Sequence, residues 1–231
     1  MRQTLVTGGA GFIGSHIVGA LLEQGASVRV LDNFSSGRRE NLAAVVRPDH
    51  AARLQVIEGD LRQAATVAEA VRGVDTVFHE AAFVSVPESM LDPGRCFDVN
   101  TGGTSLLLEQ ARQAGVRRVV IASSAAVYGD SQALPLREDL PAGPLSPYAA
   151  SKCANEVYAA MYTHGLGLEV AALRYFNVYG PRQRPDSMYA AAVPIFLSRR
   201  LQGKPVTVFG DGRQTRDLIY VGDVARANLA A

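Results

Sequence analysis

Three groups of residues in this chain have types and spacings that could act together. The first is Tyr148-Ala-Ala-Ser-Lys152. On a helix, positions i and i+4 share one face, so the ammonium can approach the phenol. A nearby positive charge favours phenolate and brings a tyrosine towards use as a general base. Alone, such a pair is common by chance and reads as a surface pair. The second group is Ser123-Ser124, directly after the strand-like run Arg118-Val-Val-Ile-Ala122. It would lie at the carboxyl edge of a sheet, where open α/β folds bind ligands. The third is Gly8-Gly-Ala-Gly11-Phe-Ile-Gly14, between a strand-like Thr4–Thr7 and a helix-like Ile13–Gln24. Glycines so spaced allow a tight turn and close backbone approach, and they leave the first N–H groups of the helix facing a pyrophosphate. Glycine-rich turns also occur without ligands, but Asp32 at the end of the second strand supports the nucleotide reading. Its carboxylate can accept hydrogen bonds from an adenosine ribose and would repel a 2′-phosphate, favouring NAD over NADP. Arg38 and Arg39 nearby argue the other way. A hydroxyl, a phenol and an ammonium converging on a dinucleotide would make a hydride-transfer site.

Elements that could position these groups alternate along the chain. Strand-like runs at Ala26–Leu31, Leu54–Ile57, Thr76–His79 and Glu169–Leu173 join those already noted. Between them lie helix-like segments at Ala65–Arg72, Gly103–Ala114 and Pro147–His164. That order predicts an α/β fold of the Rossmann type, a doubly wound parallel sheet with helices on both faces. The nearly all-apolar strands agree with two covered faces. We expect the nucleotide-binding domain to span residues 1–174 and part of a smaller substrate-binding domain to span 175–231. In the latter we expect a helix over Ala190–Leu201, strands at Val206–Phe209 and Leu218–Val221, and a helix opening at Asp223. A helix so close to the last residue would leave its apolar face without partners, so the chain reads as truncated.

At 231 residues, 48% hydrophobic and with net charge +1, the chain has ample material for a core. The near-neutral balance gives no electrostatic reason to expect nucleic acid or an anionic membrane. No apolar run approaches the roughly 18 residues of a membrane span. Met1-Arg-Gln-Thr-Leu-Val-Thr7 reads directly as a strand rather than a signal peptide. Two cysteines, Cys96 and Cys153, make no disulfide framework, which leaves a cytoplasmic location as the default.

The glycine motif, Asp32-Asn-Phe-Ser-Ser-Gly37, Ser123-Ser-Ala-Ala-Val-Tyr-Gly129, Tyr148–Lys152 and Arg174-Tyr-Phe-Asn-Val-Tyr-Gly-Pro181 together resemble the extended short-chain dehydrogenases/reductases. Within them the chain is similar to the NAD-dependent sugar-nucleotide epimerase/dehydratase family, nearest its UDP-hexose 4-epimerising branch. The resemblance implies NAD as cofactor, a UDP-sugar as substrate and a homodimer formed through a helical bundle. It implies that Gly8, Gly11, Phe12 and Ile13 hold the pyrophosphate, and that Asp32, Asn33, Ser36 and Gly37 hold the adenosine ribose. Asp60 and Leu61 would meet the adenine, and Ala81 and Ala82 would let the cofactor pass. Asn100, Tyr175 and Phe176 would complete the nicotinamide side, with Tyr148 and Lys152 also touching cofactor. Asn177 and Arg216 would bind the substrate diphosphate, and Val193, Thr207 and Phe209 the nucleotide pocket. Glu80 stands where many members carry an apolar residue.

By the same resemblance Tyr148 would take the proton from the sugar 4-hydroxyl while C4 is oxidised. Ser124 would bind the 4-oxygen, and Lys152 the nicotinamide ribose. The keto sugar would turn over and be reduced on its other face. A 4,6-dehydratase needs a further acid and base, which the family's dehydratases place as Asp-Glu directly after the catalytic Thr or Ser; Ala125-Ala126 stand there and cannot move a proton. UDP-glucuronate epimerisation or decarboxylation stays open, because Arg182 and Arg184 could bind a sugar carboxylate; a solvated loop is the simpler reading. A non-catalytic NAD-binding sensor also stays open. His79 reads as a hydrogen-bonded structural residue, and Cys153 as packing. Tyr158, Met161 and Tyr162 read as core or as a face for a partner helix.

Overall fold

The computed structural model describes residues 3–184, 192–208 and 210–231. Its first half runs β1 (Gln3–Thr7), α1 (Phe12–Glu23), β2 (Ser27–Asp32), α2 (Arg39–Ala43), β3 (Leu54–Glu58), α3 (Ala64–Val71) and β4 (Thr76–His79). Two short helices follow, α4 (Val86–Leu91) and α5 (Pro93–Phe97), the latter passing through a π-helical turn at Asp98–Gly102 into α6 (Gly103–Gln113). Then come β5 (Arg118–Ser124), α7 (Pro147–Gly165), β6 (Glu169–Tyr175), β7 (Asn177–Tyr179), α8 (Ala192–Leu201), β8 (Leu218–Tyr220) and α9 (Val221–Ala230).

Six strands form one parallel sheet in the order β3-β2-β1-β4-β5-β6, the doubly wound arrangement expected. The order reverses between β1 and β4, and ligands bind outside the carboxyl ends of strands at such a reversal. Thr7 stands opposite both Leu31 and His79, and Ser124 opposite Tyr175. The residues following these positions therefore leave the sheet at one edge. Both faces are covered. Leu5, Val77, Val119 and Ile121 pack with Val67, Leu107, Leu108 and Ala159, while Val6, Phe78 and Val120 pack with Ile17, Val18, Leu22 and Ala225. Alternate strand residues thus enter opposite cores, which explains why the strands are apolar at successive positions.

The expectations for residues beyond 175 are met unevenly. β7 and β8 form a separate two-stranded parallel sheet. Residues 206–208, expected as strand, are exposed and have no regular structure, and Phe209 lies outside the described residues. No described strand is placed to pair with that run, and an isolated strand leaves its backbone groups to water. The expected helix start at Ala190 is also outside the described residues. α9 opens at Val221, two residues earlier than expected, and packs against α1. Its Val221, Val224, Ala225 and Asn228 are buried, so its apolar face does have a partner.

Candidate active site

The turn between β1 and α1 leaves no room for side chains. A Cβ on Gly8 (φ +66°) would sit 2.6 Å from the Ala81 nitrogen, and one on Gly11 3.0 Å from the Gly8 carbonyl oxygen. One on Gly14 would collide with that same oxygen. α1 has no side-chain cap at Gly11, so the N–H groups at Phe12 and Ile13 are available to an anion. Asp32 is buried at the end of β2. Its Oδ2 accepts from Ala10 N at 2.9 Å and its Oδ1 from Phe34 N at 2.8 Å. Each oxygen keeps further acceptor capacity. Burial raises the Asp32 pKa against those two hydrogen bonds. A Cβ on Gly37 would lie 2.8 Å from both carboxylate oxygens, so the glycine closes the loop over Asp32. Arg39 is ion-paired with Glu58 and lies over the Phe34 ring, which removes part of the case for a 2′-phosphate.

Farther along the edge, Asn33 donates to Asp60 at 3.1 Å. Arg62 clamps the same carboxylate at 2.9 and 2.8 Å and holds it well below the usual range. Leu61 is buried beneath Gly103, whose Cβ would lie 2.9 Å from it. Ser36 is exposed, and Ala81 and Ala82 are half-buried in the stretch after β4. A cradle without room for a β-carbon, an uncapped helix start and a buried carboxylate with spare acceptor sites together fit NAD. Asn100 is buried, and its side chain bonds the Phe83 backbone in both directions and Ser151 Oγ at 3.0 Å. It thereby fixes the stretch that follows Ala82.

Ser124, Tyr148 and Lys152 meet at the end of β5. Ser146 caps α7 by accepting from Ala149 N, with Pro147 opening the helix. This start sets Tyr148 and Lys152 on the face towards the sheet. Ser124 Oγ accepts from Ala126 N at 3.1 Å and faces the Tyr148 hydroxyl, whose phenolate it favours. Lys152 is 4% exposed, donates to the Ala122 carbonyl at 2.8 Å, and lies 5.7 Å from the Tyr148 ring centroid. The electrostatics differ from the sequence expectation. Burial pushes the Tyr148 phenol up, opposed by the nearby Ser124 hydroxyl. Burial also pushes Lys152 down to about 8, opposed by the charge of Glu80. Desolvation thus outweighs the attraction that spacing alone suggests.

Several surrounding residues have roles that the sequence did not assign. Glu80, on the stretch after β4, accepts from the Tyr175 hydroxyl at 2.8 Å, and burial pushes its carboxyl up to about 7. The Tyr175 oxygen in turn accepts from Asn228 Nδ2 of α9 at 2.7 Å. Glu156 accepts from Ser123 Oγ and from Arg174 at 2.9 and 2.8 Å. Arg174 also lies over the Tyr128 ring, and Tyr128 stands 6.4 Å from Phe176, centroid to centroid. Glu156 is four residues beyond Lys152 on the same helix face, a spacing that could have singled it out. His79 bridges Thr7 Oγ1 at 2.7 Å and Thr104 Oγ1 at 2.9 Å, with burial lowering it to about 3. It is a neutral structural residue, as read from sequence. Burial raises the Cys153 thiol, which fits packing rather than reactivity.

Of the residues assigned to substrate, Asn177 donates from both its backbone and its side chain to the Asp217 carbonyl, at 3.1 and 3.0 Å. That pairing brings Asn177 beside exposed Arg216. Val193 is half-buried on α8, Thr207 is exposed, and Phe209 is outside the described residues. Arg182 corrects the solvated-loop expectation. It adopts φ +69° and donates to Ser15 Oγ at 2.9 Å, docking on α1, and burial lowers its pKa.

A model of the NAD dependent epimerase/dehydratase family matches residues 4–231. A putative UDP-glucose 4-epimerase of Methanocaldococcus jannaschii is 43% identical over 98% of the chain and 72% of its own length. A UDP-N-acetylglucosamine 4-epimerase of Methanobrevibacter ruminantium, solved in complex with UDP-N-acetylmuramic acid, superposes with TM-score 0.93 at 42% identity. That comparison covers 99% of this chain and 72% of the other. A Thermus thermophilus UDP-glucose 4-epimerase in complex with NAD superposes with TM-score 0.89 at 44% identity, covering 100% and 74%.

Proposed function

Because the chain belongs to the NAD dependent epimerase/dehydratase family, we propose that it is an NAD-dependent isomerase that epimerises a UDP-hexose at C4. The observation that carries the reading is the meeting of Ser124, Tyr148 and Lys152 at the sheet edge that also holds the glycine cradle. Bound NAD would supply the acceptor for the hydride leaving C4, the donor for its return, and a positive ring charge in the oxidised form. Tyr148 would take the proton of the 4-hydroxyl and give it back after the sugar has turned. Ser124 would donate to the 4-oxygen and keep it within reach of the phenol. Lys152, fixed by the Ala122 carbonyl, would hold the nicotinamide ribose and lower the cost of phenolate. Gly8, Gly11, Phe12 and Ile13 would hold the pyrophosphate, and Asp32 the adenosine ribose. Asn177 and Arg216 would clasp the UDP diphosphate, with Val193, Thr207 and Phe209 towards the nucleotide.

The docking of Arg182 on α1 weakens the uronate reading, since that guanidinium already has a partner. Apolar side chains at Leu91, Phe97, Val157 and Met161 are exposed on α4, α5 and α7, which pack on one another. They support a homodimer joined through these helices. Cys96 and Cys153 are free thiols, in keeping with a cytoplasmic enzyme. Among the described residues no helix is long and apolar enough to cross a membrane.

Proton NMR of the protein with UDP-glucose, UDP-N-acetylglucosamine and UDP-glucuronate in separate tubes, with no cofactor added, tests the reading. Formation of the galacto epimer in the first or second tube is the expected result. A 4-keto-6-deoxy product, or conversion of the uronate alone, would overturn it.

A further inference from the structure

Glu80 is a carboxylate on the active-site edge to which neither the proton step nor the cofactor cradle gives a task. It sits directly after β4, one residue from the His79 bridge and next to Ala81, whose nitrogen abuts Gly8. Its Oε1 accepts from the Tyr175 hydroxyl at 2.8 Å, and the Tyr175 oxygen accepts from Asn228 at 2.7 Å. Asn228 is 1% exposed and also donates to the Val224 carbonyl, so it cannot swing away from α9 without losing both bonds. Glu80 is therefore held from three elements: its own strand end, β6 and α9.

The groups around it identify the task. α7 contributes Tyr148 and Lys152, both of which feel the charge of Glu80. α5 contributes the buried Cys96 thiol, β4 contributes His79, and β6 contributes Tyr175. The thiol, the imidazole and the phenol of Tyr175 are neutral at ordinary pH, because burial raises the first and third and lowers the second. Lys152 is bonded to the neutral carbonyl of Ala122, and His79 stands opposite Ile121 on the neighbouring strand, so Glu80, the next residue, runs beside Ala122 and its charge bears on the Lys152 ammonium. A buried ammonium without an opposing charge tends to lose its proton.

Resting on the epimerase reading above, we propose that Glu80, fixed in place by Tyr175 and Asn228, is a positioning residue that keeps Lys152 an ammonium and sets the pH range in which the Tyr148–Lys152 pair works. It does not touch the reacting atoms. The sign of its effect is fixed by electrostatics. Removing the negative charge makes ammonium less favourable at Lys152 and phenolate more favourable at Tyr148, so both groups lose their protons at lower pH. Glu80 is itself ionised only above about pH 7, so the shift towards acid is read on the alkaline limb of the activity profile and in the Tyr148 titration.

The test uses Glu80→Gln, which keeps an acceptor for Tyr175 at nearly the same size, and Glu80→Leu, which removes charge and acceptor together. Two quantities are read. One is the pH profile of UDP-hexose turnover. The other is the phenolate absorbance of Tyr148 across pH, taken as the difference from Tyr148→Phe in the same background, which needs neither substrate nor turnover. In Glu80→Gln the Tyr148 titration and the alkaline limb of the turnover profile should both shift towards acid by roughly 0.5–1 pH unit. Tyr175→Phe, which frees the carboxylate from its tether, should shift the titration less and broaden it. If Glu80→Gln titrates like the unaltered protein while Glu80→Leu merely loses activity, Glu80 is structural and the proposal fails. If the unaltered protein turns over no UDP-hexose yet the Tyr148 titration shifts, the epimerase reading fails and the electrostatic role of Glu80 stands.

Discussion

At the scale of single residues, proton transfer and support of the protein matrix fall on different side chains. Tyr148 would make the proton transfer, so Tyr148→Phe should lower turnover by about 10²–10⁴-fold, the usual range for a general base. Its NAD affinity, measured by equilibrium dialysis, should fall only by the one contact Tyr148 makes, because the pyrophosphate and adenosine contacts lie in the turns after β1 and β2. Glu156 does the supporting work. Burial would raise its carboxyl, but hydrogen bonds from Arg174 and Ser123 outweigh that and hold it below its ordinary value. A group with a depressed folded value stabilises fully above its unfolded value, about 4.3, and loses that contribution as pH falls through the folded one. Urea unfolding should therefore weaken more steeply below about pH 4.5 in the unaltered protein than in Glu156→Gln. Glu156→Ala should cost about 2 kcal/mol near neutral pH, since it strands a half-buried guanidinium at Arg174. Tyr148, Lys152 and Ser124 were legible because spacing along a helix and position at a strand end are local facts. Glu80 showed in the sequence only as a departure and Glu156 only as a helical spacing, because their roles depend on which partners the sheet brings to them, in Glu80's case from 95 residues away.

At the scale of elements, the sheet strands and the helices that cover them could be read closely, since the central strands β1, β4 and β5 are largely buried on both faces and their apolar runs leave little choice. The short helices α4 and α5 escaped that reading, being too brief for a period to register. Each nonetheless carries a cap: Ser85 accepts from Glu88 N, and Asp92 accepts from Arg95 N. A Ser-x-x-Glu spacing and an aspartate before proline were the available signals. The described part of the expected strand, residues 206–208, failed for the opposite reason, because β-branched residues favour a strand only where a neighbour can pair with it. The β1–α1 turn gives the sharpest test at this scale. Gly14→Ala puts a methyl group into the Gly8 carbonyl, and either the helix start or the strand end must move. Thermal unfolding should show a loss of about 1–3 kcal/mol, as for other overpacked sites. NAD binding by equilibrium dialysis should fall with it, because the same backbone groups face the pyrophosphate. Unchanged NAD affinity in a destabilised Gly14→Ala would detach the turn from cofactor binding.

At the scale of the whole molecule, the largest unsolved matter in this chain is apolar surface. Phe97 is 60% exposed, Leu91 80%, Val157 69% and Met161 42%. Val157 and Met161 are one turn apart on α7 and so share a face, while Tyr162 on the same helix turns inward and donates to Glu109. α7 is thus apolar on two sides, which an isolated surface helix avoids. The inner side carries Lys152, and contact on the outer side would steady the helix that positions it. A two-fold pairing of α5 and α7 with the same helices of a second copy would cover this face, because a two-fold interface uses one patch twice. Replacing Val157 and Met161 together by glutamate would set like charges against each other across that axis, while each side chain stays solvated in a lone chain. Sedimentation equilibrium should then show a dimer for the unaltered protein and a monomer for the double variant, with the fold intact by circular dichroism. Turnover in the monomer should drop while NAD binding persists, since Tyr148 and Lys152 ride on α7 and the cradle does not. If both proteins sediment as monomers, the exposed face has another occupant and the pairing is wrong.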